Sequence, residues 1–312
     1  MTLQHVTRHV TGRTTIAVAA DSRFVYPALL ALLTAHEHCL SADANYLFLG
    51  ISLQHAEADV VRSTLAEHRL EPGLQELAPE RLAGLPTEGH LAPSAFARLF
   101  LPEISSESGA GRTLYIDSDT LTIANIGELA ALPLPPGMVC GAVPAVQMET
   151  WGHPNAGLSG LLPPGIDRAY LNSGVMLIDN RAWADEQVSR RVVQAVHNRR
   201  IDLPCADQGW LNVVLAEKWC GMPTRFNYQL ASRLFMRVGP LTLHPKRWSL
   251  EAVRPNRDAS ILHFVGPRKP WMDDAWPSAF VDQYRRAWRH YLGTPTWPRR
   301  SLPAWLWRRL RG

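Results

Sequence analysis

"TTIAVAADSRFVYPALLALLTAHEH", residues 14–38, joins a short β-branched and small apolar run to a longer apolar one, with a single acid, Asp21, at the junction. The opening run is rich in Thr, Ile and Val and too short for a helix, as expected of a strand buried on both faces. "FVYPALLALLTAHEH" (24–38) then has helical periodicity, so a strand feeds directly into a helix. "ANYLFLG" (44–50) repeats the strand pattern and "QHAEADVVRSTLAEHRL" (54–70) the helical one. Alternating βαβα predicts an α/β domain with parallel strands in a doubly wound, Rossmann-like sheet, and such sheets bind ligands outside the carboxyl ends of their strands.

Further along, "SAFARLFLPEI" (94–104) reads as a helix leading into the strand "RTLYIDSD" (112–119), whose carboxyl end carries Asp117 and Asp119. After "GMVCGAV" (137–143), a Gly/Pro-rich stretch from Pro144 to Asp167 lacks periodicity, and loops of this length in compact domains tend to be lids or binding loops. "YLNSGVMLID" (170–179) reads as a strand, "DEQVSRRVVQAVHNRR" (185–200) and "ADQGWLNVVLAEKW" (206–219) as helices, and "SILHFVG" (260–266) as a last core strand. From Trp271 onward the composition changes, with six of the chain's eleven tryptophans among prolines and arginines. The expected division is therefore a main domain, 1–270, and a short basic, Trp-rich extension, 271–312.

At 312 residues and 46% hydrophobic content the chain can bury a large core. No stretch approaches the roughly 20 apolar residues that cross a bilayer, and "MTLQHVTRHVTGRTT" lacks the apolar run of a secretory signal, so a cytoplasmic protein is expected. The four cysteines are far apart, with neither disulfide-framework nor zinc spacing, and read as reduced thiols. Eight arginines and no acid lie from Arg285 to the end, which exceeds the net +4 of the whole chain and leaves the rest acidic. No folded basic face and no nucleic-acid motif accompany that charge, so nucleic acid is not an expected partner.

Asp117 and Asp119 repel one another and lose hydration at a strand end, a cost that a cation offsets. A divalent ion is the simplest such cation, and oxygen ligands with one imidazole suit Mn²⁺, with Mg²⁺ the alternative. Taken alone, a D-x-D is more often a solvated Asp-Ser-Asp turn. "LYIDSDTL" also resembles the D-x-D-x-T motif of haloacid-dehalogenase-like phosphatases, which would make Asp117 a nucleophile and Asp119 an acid/base. Leu121 departs from that pattern, and the α/β segment before the pair has no place in it.

The remaining motifs resemble glycosyltransferase family 8, which includes bacterial lipooligosaccharide galactosyl- and glucosyltransferases. "IAVAADSRFVYP" is similar to its first strand and nucleotide-binding turn, "SAFARLFLPEI" to its donor-contacting helix, and "LYIDSDTLTIANIGEL" carries its D-x-D. "YLNSGVMLID" matches its N-[AS]-G strand and "ADQGWLN" its D-Q-x-x-L-N helix, while "RFNY" (225–228) and "HFVGPRKPW" (263–271) match its closing segment. The resemblance implies a GT-A type nucleotide-sugar-binding domain and a retaining, Mn²⁺-dependent transfer of galactose or glucose from a UDP-sugar to a saccharide or glycolipid acceptor, with lipopolysaccharide core as the expected glycan. It implies that Asp117, Asp119 and His263 hold the metal, and that Ala19, Ala20, Asp21 and Phe24 take the uracil. Arg98, Asp117, Ser118, Asp119, Asn172, Ser173, Gly174, Gly266 and Lys269 would complete donor binding, with Asp207 and Gln208 catalytic.

Gln208 would lie opposite the leaving group; an amide is a poor nucleophile, so front-face attack is expected, with Asp207 the covalent alternative. Departures from the family pattern are Arg23 and Phe24 in place of Asn-Tyr, Phe96 in place of Tyr, and Ala145 where an aspartate is common. They leave room for an inactive sugar-nucleotide-binding protein.

The terminal "WPRRSLPAWLWRRLRG" (297–312) alternates bulky apolar residues with arginines. Trp305, Leu306 and Leu310 would enter a headgroup layer while Arg308, Arg309 and Arg311 meet anionic lipid at about 1 kcal/mol per contact. Peripheral attachment to the inner face of the cytoplasmic membrane is the corresponding expectation; a basic tail free in solution or a helix packed on the domain would have the same composition.

Overall fold

The computed structural model describes residues 13–40, 44–85, 93–162, 166–198, 203, 206–230, 258–266, 269–272 and 279–293. The chain divides into two compact units, Met1–Leu230 with Asn256–His263, and Ala231–Pro255 with Phe264–Gly312.

The first unit begins as the sequence predicts. Strand β1 (Arg13–Asp21) leads into α1 (Val25–Glu37), then β2 (Ala44–Ile51), α2 (His55–Glu67) and β3 (Pro72–Glu76). β1 pairs in parallel with β2, and β2 with β3. Ten of the thirteen residues of α1 are buried, which explains why its apolar residues run all the way round rather than along one stripe. β3, "PGLQE", lies at the sheet edge, where a proline at the first position is tolerated and where composition gives little strand signal.

The segment expected as one helix over 94–104 is instead a 3₁₀ helix, Pro93–Phe100, followed by the short α3, Leu101–Glu107. Pro102, in the first turn of α3, lacks the N–H that a continuous α-helix would need there. Next come β4 (Ala110–Ile116), β5 (Thr120–Thr122), α4 (Gly127–Ala130) and β6 (Cys140–Pro144). After the predicted loop, whose described residues include two short 3₁₀ turns, lie β7 (Leu171–Asp179), α5 (Asn180–Asp185), α6 (Val188–His197), α7 (Ala206–Leu215) and β8 (Trp219–Gly221). α7 stops short of the predicted end because Trp219 enters β8.

The main sheet has the order β3-β2-β1-β4-β7-β6-β8. β1 and β4 are parallel neighbours, and the chain leaves them in opposite directions across the sheet, so their carboxyl ends flank a switch point. β7 runs antiparallel to both β4 and β6, which corrects the expectation of parallel strands throughout. A parallel return normally needs a helical crossover, whereas the described residues between β6 and β7 include no α-helix.

A second, three-stranded sheet has the order β5-β10-β9, with β9 at Tyr228–Gln229 and β10 at Ile261–His263. The predicted core strand 260–266 is thus shorter and lies outside the main sheet, antiparallel to β5 and parallel to β9.

In the second unit, helix α8 (Ala279–Leu292) buries Phe280, Val281, Tyr284 and Trp288. The Tyr284 ring lies 5.3 Å from Phe264, 5.6 Å from Trp271 and 6.1 Å from Trp288, centroid to centroid. Arg285 donates to the carbonyls of Pro270 and Met272, tying 270–272 to the helix. Cys39, Cys140 and Cys220 are free thiols; Cys205 and the tail 297–312 lie outside the described residues. No helix among the described residues is long and apolar enough to cross a membrane.

Candidate active site

The acidic pair occupies a tight turn between β4 and β5. The Asp117 carbonyl accepts from the Thr120 N–H at 3.1 Å and from Thr120 Oγ1 at 2.7 Å, so Ser118 and Asp119 form the tip. This is an Asp-Ser-Asp turn, but its side chains are largely withdrawn from water: Asp117 is 22% and Asp119 13% exposed. Ser118 Oγ donates to the Ala19 carbonyl at 3.3 Å, linking the turn to the carboxyl end of β1.

The strand after the turn brings in the third ligand. β5 pairs with β10 so that His263 stands opposite Thr120, one residue past Asp119. His263 Nε2 lies 3.2 Å from Asp119 Oδ1 and 3.7 Å from Asp117 Oδ2. One ligand atom from each of the three residues falls within 4.8 Å of the others, and no further cluster of this kind occurs among the described residues. Two carboxylates and an imidazole suit a hard or borderline divalent ion.

β7 packs against this cluster with no Cβ to spare. The Asp117 N–H donates to the Gly174 carbonyl at 2.7 Å. A Cβ on Gly174 would collide with His263 Cε1 and lie 2.8 Å from both His263 Nδ1 and Asp117 Oδ2. The glycine of "NSG" is therefore required by close approach.

Arg98 joins two acids. Its Nη2 pairs with Asp117 Oδ1 at 3.0 Å and its Nε with Asp207 Oδ2 at 2.9 Å. Its Nη1 donates to the Ser173 carbonyl at 2.8 Å and to Ser173 Oγ at 3.0 Å. The guanidinium also stacks 4.6 Å over the Tyr115 ring, whose hydroxyl donates to Asp117 Oδ1. With Oδ1 so engaged, Oδ2 is the oxygen left for the cluster. Burial alone would lower the Arg98 pKa, but the charges of Asp117 and Asp207 outweigh it and keep the group cationic. Burial also drives the Tyr115 hydroxyl well above the usual tyrosine range, with Arg98 opposing and Asp117 adding.

Asp207, in the first turn of α7, is buried and pushed up to about 6, by desolvation first and by Asp117 second, against the pull of Arg98. Gln208 beside it is held by its oxygen: Oε1 accepts from the Ser173 N–H at 3.1 Å and from Asn172 Nδ2 at 3.2 Å. Three carboxylates therefore face one guanidinium and one imidazole, a deficit of positive charge that a bound cation would make good.

At the end of β1, Arg23 grips the Asp21 carboxylate. Its N–H and Nε reach Oδ1 at 2.9 and 3.2 Å, and Nη2 reaches Oδ2 at 2.7 Å. Ala19 and Ala20 precede this fork, and Phe24 is the cap residue just before α1. Gly266 and Lys269 belong to the second unit, where Gly266 adopts φ +98° and Lys269 Nζ donates to the Phe264 carbonyl at 2.9 Å.

The structure thus brings together Arg98, Asp117, Ser118, Asp119, Asn172, Ser173, Gly174, Asp207, Gln208 and His263 around β4 and β7. The sequence reading missed Tyr115 and gave Asn227 no role. Tyr115 carries a detectable signal, since it stands two residues before Asp117 and so on the same face of the strand. Asn227 accepts from His263 Nδ1 at 2.9 Å, a pairing that depends on where β9 and β10 meet.

The sequence pattern of glycosyl transferase family 8 matches residues 16–275. The chain is 26% identical over 264 residues to General stress protein A of Bacillus subtilis (strain 168), covering 84% of this chain and 80% of that protein. It is 27% identical over 202 residues to Lipopolysaccharide glucosyltransferase WaaO of Escherichia coli (strain K12), covering 63% of this chain and 54% of the relative, so it spans about half of that protein. Among solved structures, galactosyltransferase LgtC in complex with donor and acceptor sugar analogs superposes with a TM-score of 0.69 at 21% identity, covering 90% of this chain and 98% of that one. That likeness shows the fold, the GT-A type expected from the sequence.

Proposed function

The chain belongs to glycosyltransferase family 8 and is a glycosyltransferase, and from that premise we propose that it moves galactose or glucose from a UDP-sugar to a saccharide or glycolipid acceptor, with retention and with Mn²⁺ as cofactor. The observation that carries this reading is the convergence of Asp117, Asp119 and His263 at the carboxyl edge of the sheet, with Asp207 and Gln208 joined to them through Arg98 and Asn172. Support for a hexose and for a lipopolysaccharide acceptor comes from relatives whose names specify a lipopolysaccharide glucosyltransferase and a galactosyltransferase. The phosphatase reading of Asp117 falls with the family assignment.

Asp117 Oδ2, Asp119 Oδ1 and His263 Nε2 would hold the divalent ion, which when bound supplies a Lewis acid to the departing diphosphate. Arg98 and Tyr115 orient the Asp117 carboxylate by its other oxygen, so its ligand atom is preset. Gln208, with Oε1 turned to Ser173 and Asn172, offers its amide nitrogen to the sugar, and an oxygen already engaged in this way is a poorer nucleophile still. Attack by the acceptor from the face of the leaving diphosphate fits this arrangement better than a covalent intermediate on Gln208. Asp207 would hold sugar hydroxyls. Asp21, Ala19, Ala20 and Phe24 are assigned to the uracil, and Gly266 and Lys269 to the diphosphate, by their motifs.

The test is a panel of UDP-sugars incubated with the protein and Mn²⁺, Mg²⁺ or chelator, with release of UDP followed in the absence of acceptor. Slow, Mn²⁺-dependent release from a UDP-hexose is expected. A folded protein that releases UDP from none of them would refute the reading. Peripheral attachment through the tail is proposed on its sequence: deleting residues 297–312 should shift the protein from membrane to soluble fractions without abolishing UDP-sugar hydrolysis, and unchanged partitioning would rule the anchor out.

A further inference from the structure

Asn227 is fully buried at the end of a 3₁₀ turn, Thr224–Asn227, immediately before β9. Its position is set by backbone: Ser260 N–H donates to the Arg225 carbonyl at 2.8 Å, Leu230 N–H to the His263 carbonyl at 2.8 Å, and Leu262 and His263 stand opposite Tyr228 and Gln229. The amide therefore cannot drift relative to the imidazole.

The hydrogen bonds that meet there have one consistent polarity, and a backbone group decides it. The Gly174 N–H can only donate, and it donates to Asn172 Oδ1 at 3.0 Å. The end of Asn227 facing that oxygen, at 2.8 Å, must then be its nitrogen. Its oxygen in turn faces His263 Nδ1 at 2.9 Å. An amide oxygen only accepts, so Nδ1 carries a proton, and the neutral ring that keeps this bond is the tautomer whose Nε2 has a lone pair to offer a cation. Nε2 is the nitrogen that faces Asp119 and Asp117. In the other direction, Asn172 Nδ2 donates to Gln208 Oε1, where the Ser173 N–H, a second backbone donor, confirms the polarity.

We propose that Asn227 is a positioning residue with two functions: its oxygen holds His263 in the tautomer that presents Nε2 to the metal cluster, and its nitrogen, through Asn172, holds the Gln208 amide. The proposal rests on the reading of Asp117, Asp119 and His263 as a divalent-ion site. It makes the two ends of Asn227 separable. Asn227→Ala removes both. Asn227→Asp keeps an acceptor for Nδ1–H and loses the donor to Asn172.

The full chain is used for three measurements. Long-range ¹H–¹⁵N correlation on metal-free protein should show a proton on Nδ1 of His263, a readout that needs no variant at Asn227. Mn²⁺ binding, followed by electron paramagnetic resonance, should weaken by about 10- to 100-fold in Asn227→Ala and stay within about threefold of wild type in Asn227→Asp. With UDP-sugar, Asn227→Asp should lose about tenfold or more in kcat with KM little changed, because Gln208 is released while the metal ligand is not. An Nε2–H tautomer in the wild type, or an Ala variant that binds Mn²⁺ as the wild type does with unchanged kcat, would overturn the proposal while leaving the metal site intact. Equal loss of Mn²⁺ in both variants would also overturn it, by showing that an oxygen acceptor facing Nδ1 is not what holds the ligand. A wild type that binds no Mn²⁺ would overturn the metal reading and this proposal together.

Discussion

Gly174→Ala adds one methyl group at the point where β7 touches the cluster. The new Cβ would collide with His263 Cε1 and stand 2.8 Å from Asp117 Oδ2 and His263 Nδ1, closer than a real Cβ tolerates. The backbone of Gly174 cannot retreat easily, because its carbonyl accepts from the Asp117 N–H and its own N–H donates to Asn172. Nor can the side chains it strikes move freely: Asp117 is pinned through Oδ1 by Arg98 and Tyr115, and His263 through Nδ1 by Asn227. Overpacking of this kind costs roughly 1–3 kcal/mol. Displaced metal ligands carry the same cost into binding, and at about 1.4 kcal/mol per factor of ten the affinity for Mn²⁺ should fall by roughly 5- to 150-fold. Thermal unfolding of the metal-free protein and Mn²⁺ titration of the folded variant measure the two effects separately. A variant with wild-type melting and wild-type Mn²⁺ affinity would refute the close-approach argument.

Further outcomes follow from the same geometry. Asp207 has a folded pKa of about 6 against an ordinary 3.8, so its contribution is fully present below about pH 3.8 and is lost as pH rises through 6; relative to Asp207→Asn, the metal-free wild type should lose roughly 3 kcal/mol across that window, and parallel pH–stability curves would contradict it. Arg98→Leu strands Asp117 and Asp207 without their shared cation and should destabilise the protein by about 3–5 kcal/mol in urea denaturation; Arg98→Lys should rescue little, since a single ammonium cannot span both acids and the Ser173 carbonyl. Saturating Mn²⁺, at about 100 times Kd, should stabilise the wild type by about 2.7 kcal/mol, and Asp119→Ala should abolish most of that gain in the same melts.

Much of the site was legible before any coordinates. Asp117 and Asp119 could be placed at a ligand-facing strand end because the run before them is apolar and the βα alternation fixes which end of a strand faces the ligand. The family motifs added His263, Asn172 and Gln208 by resemblance. What escaped the reading was short or set at an edge: β3 begins with Pro-Gly, while β5, β8 and β9 are two or three residues long, too brief for a period-2 pattern to register. The antiparallel course of β7 escaped for a related reason, since an apolar run identifies a buried strand without revealing its direction.

Sequence alone determined the local features: which of the longer segments become strand or helix, where two like charges gather, and which family the motifs resemble. Those follow from neighbouring residues, whose burial and backbone preferences act within a few positions. Only the tertiary structure decided that β10, paired with β5, brings His263 to Asp119, that Gly174 leaves no room for a methyl group, and that Arg98 and Asn227 tie the cluster to Asp207 and Gln208. These depend on the register between strands distant in the chain, and register is settled by backbone pairing across the sheets, which no single segment encodes.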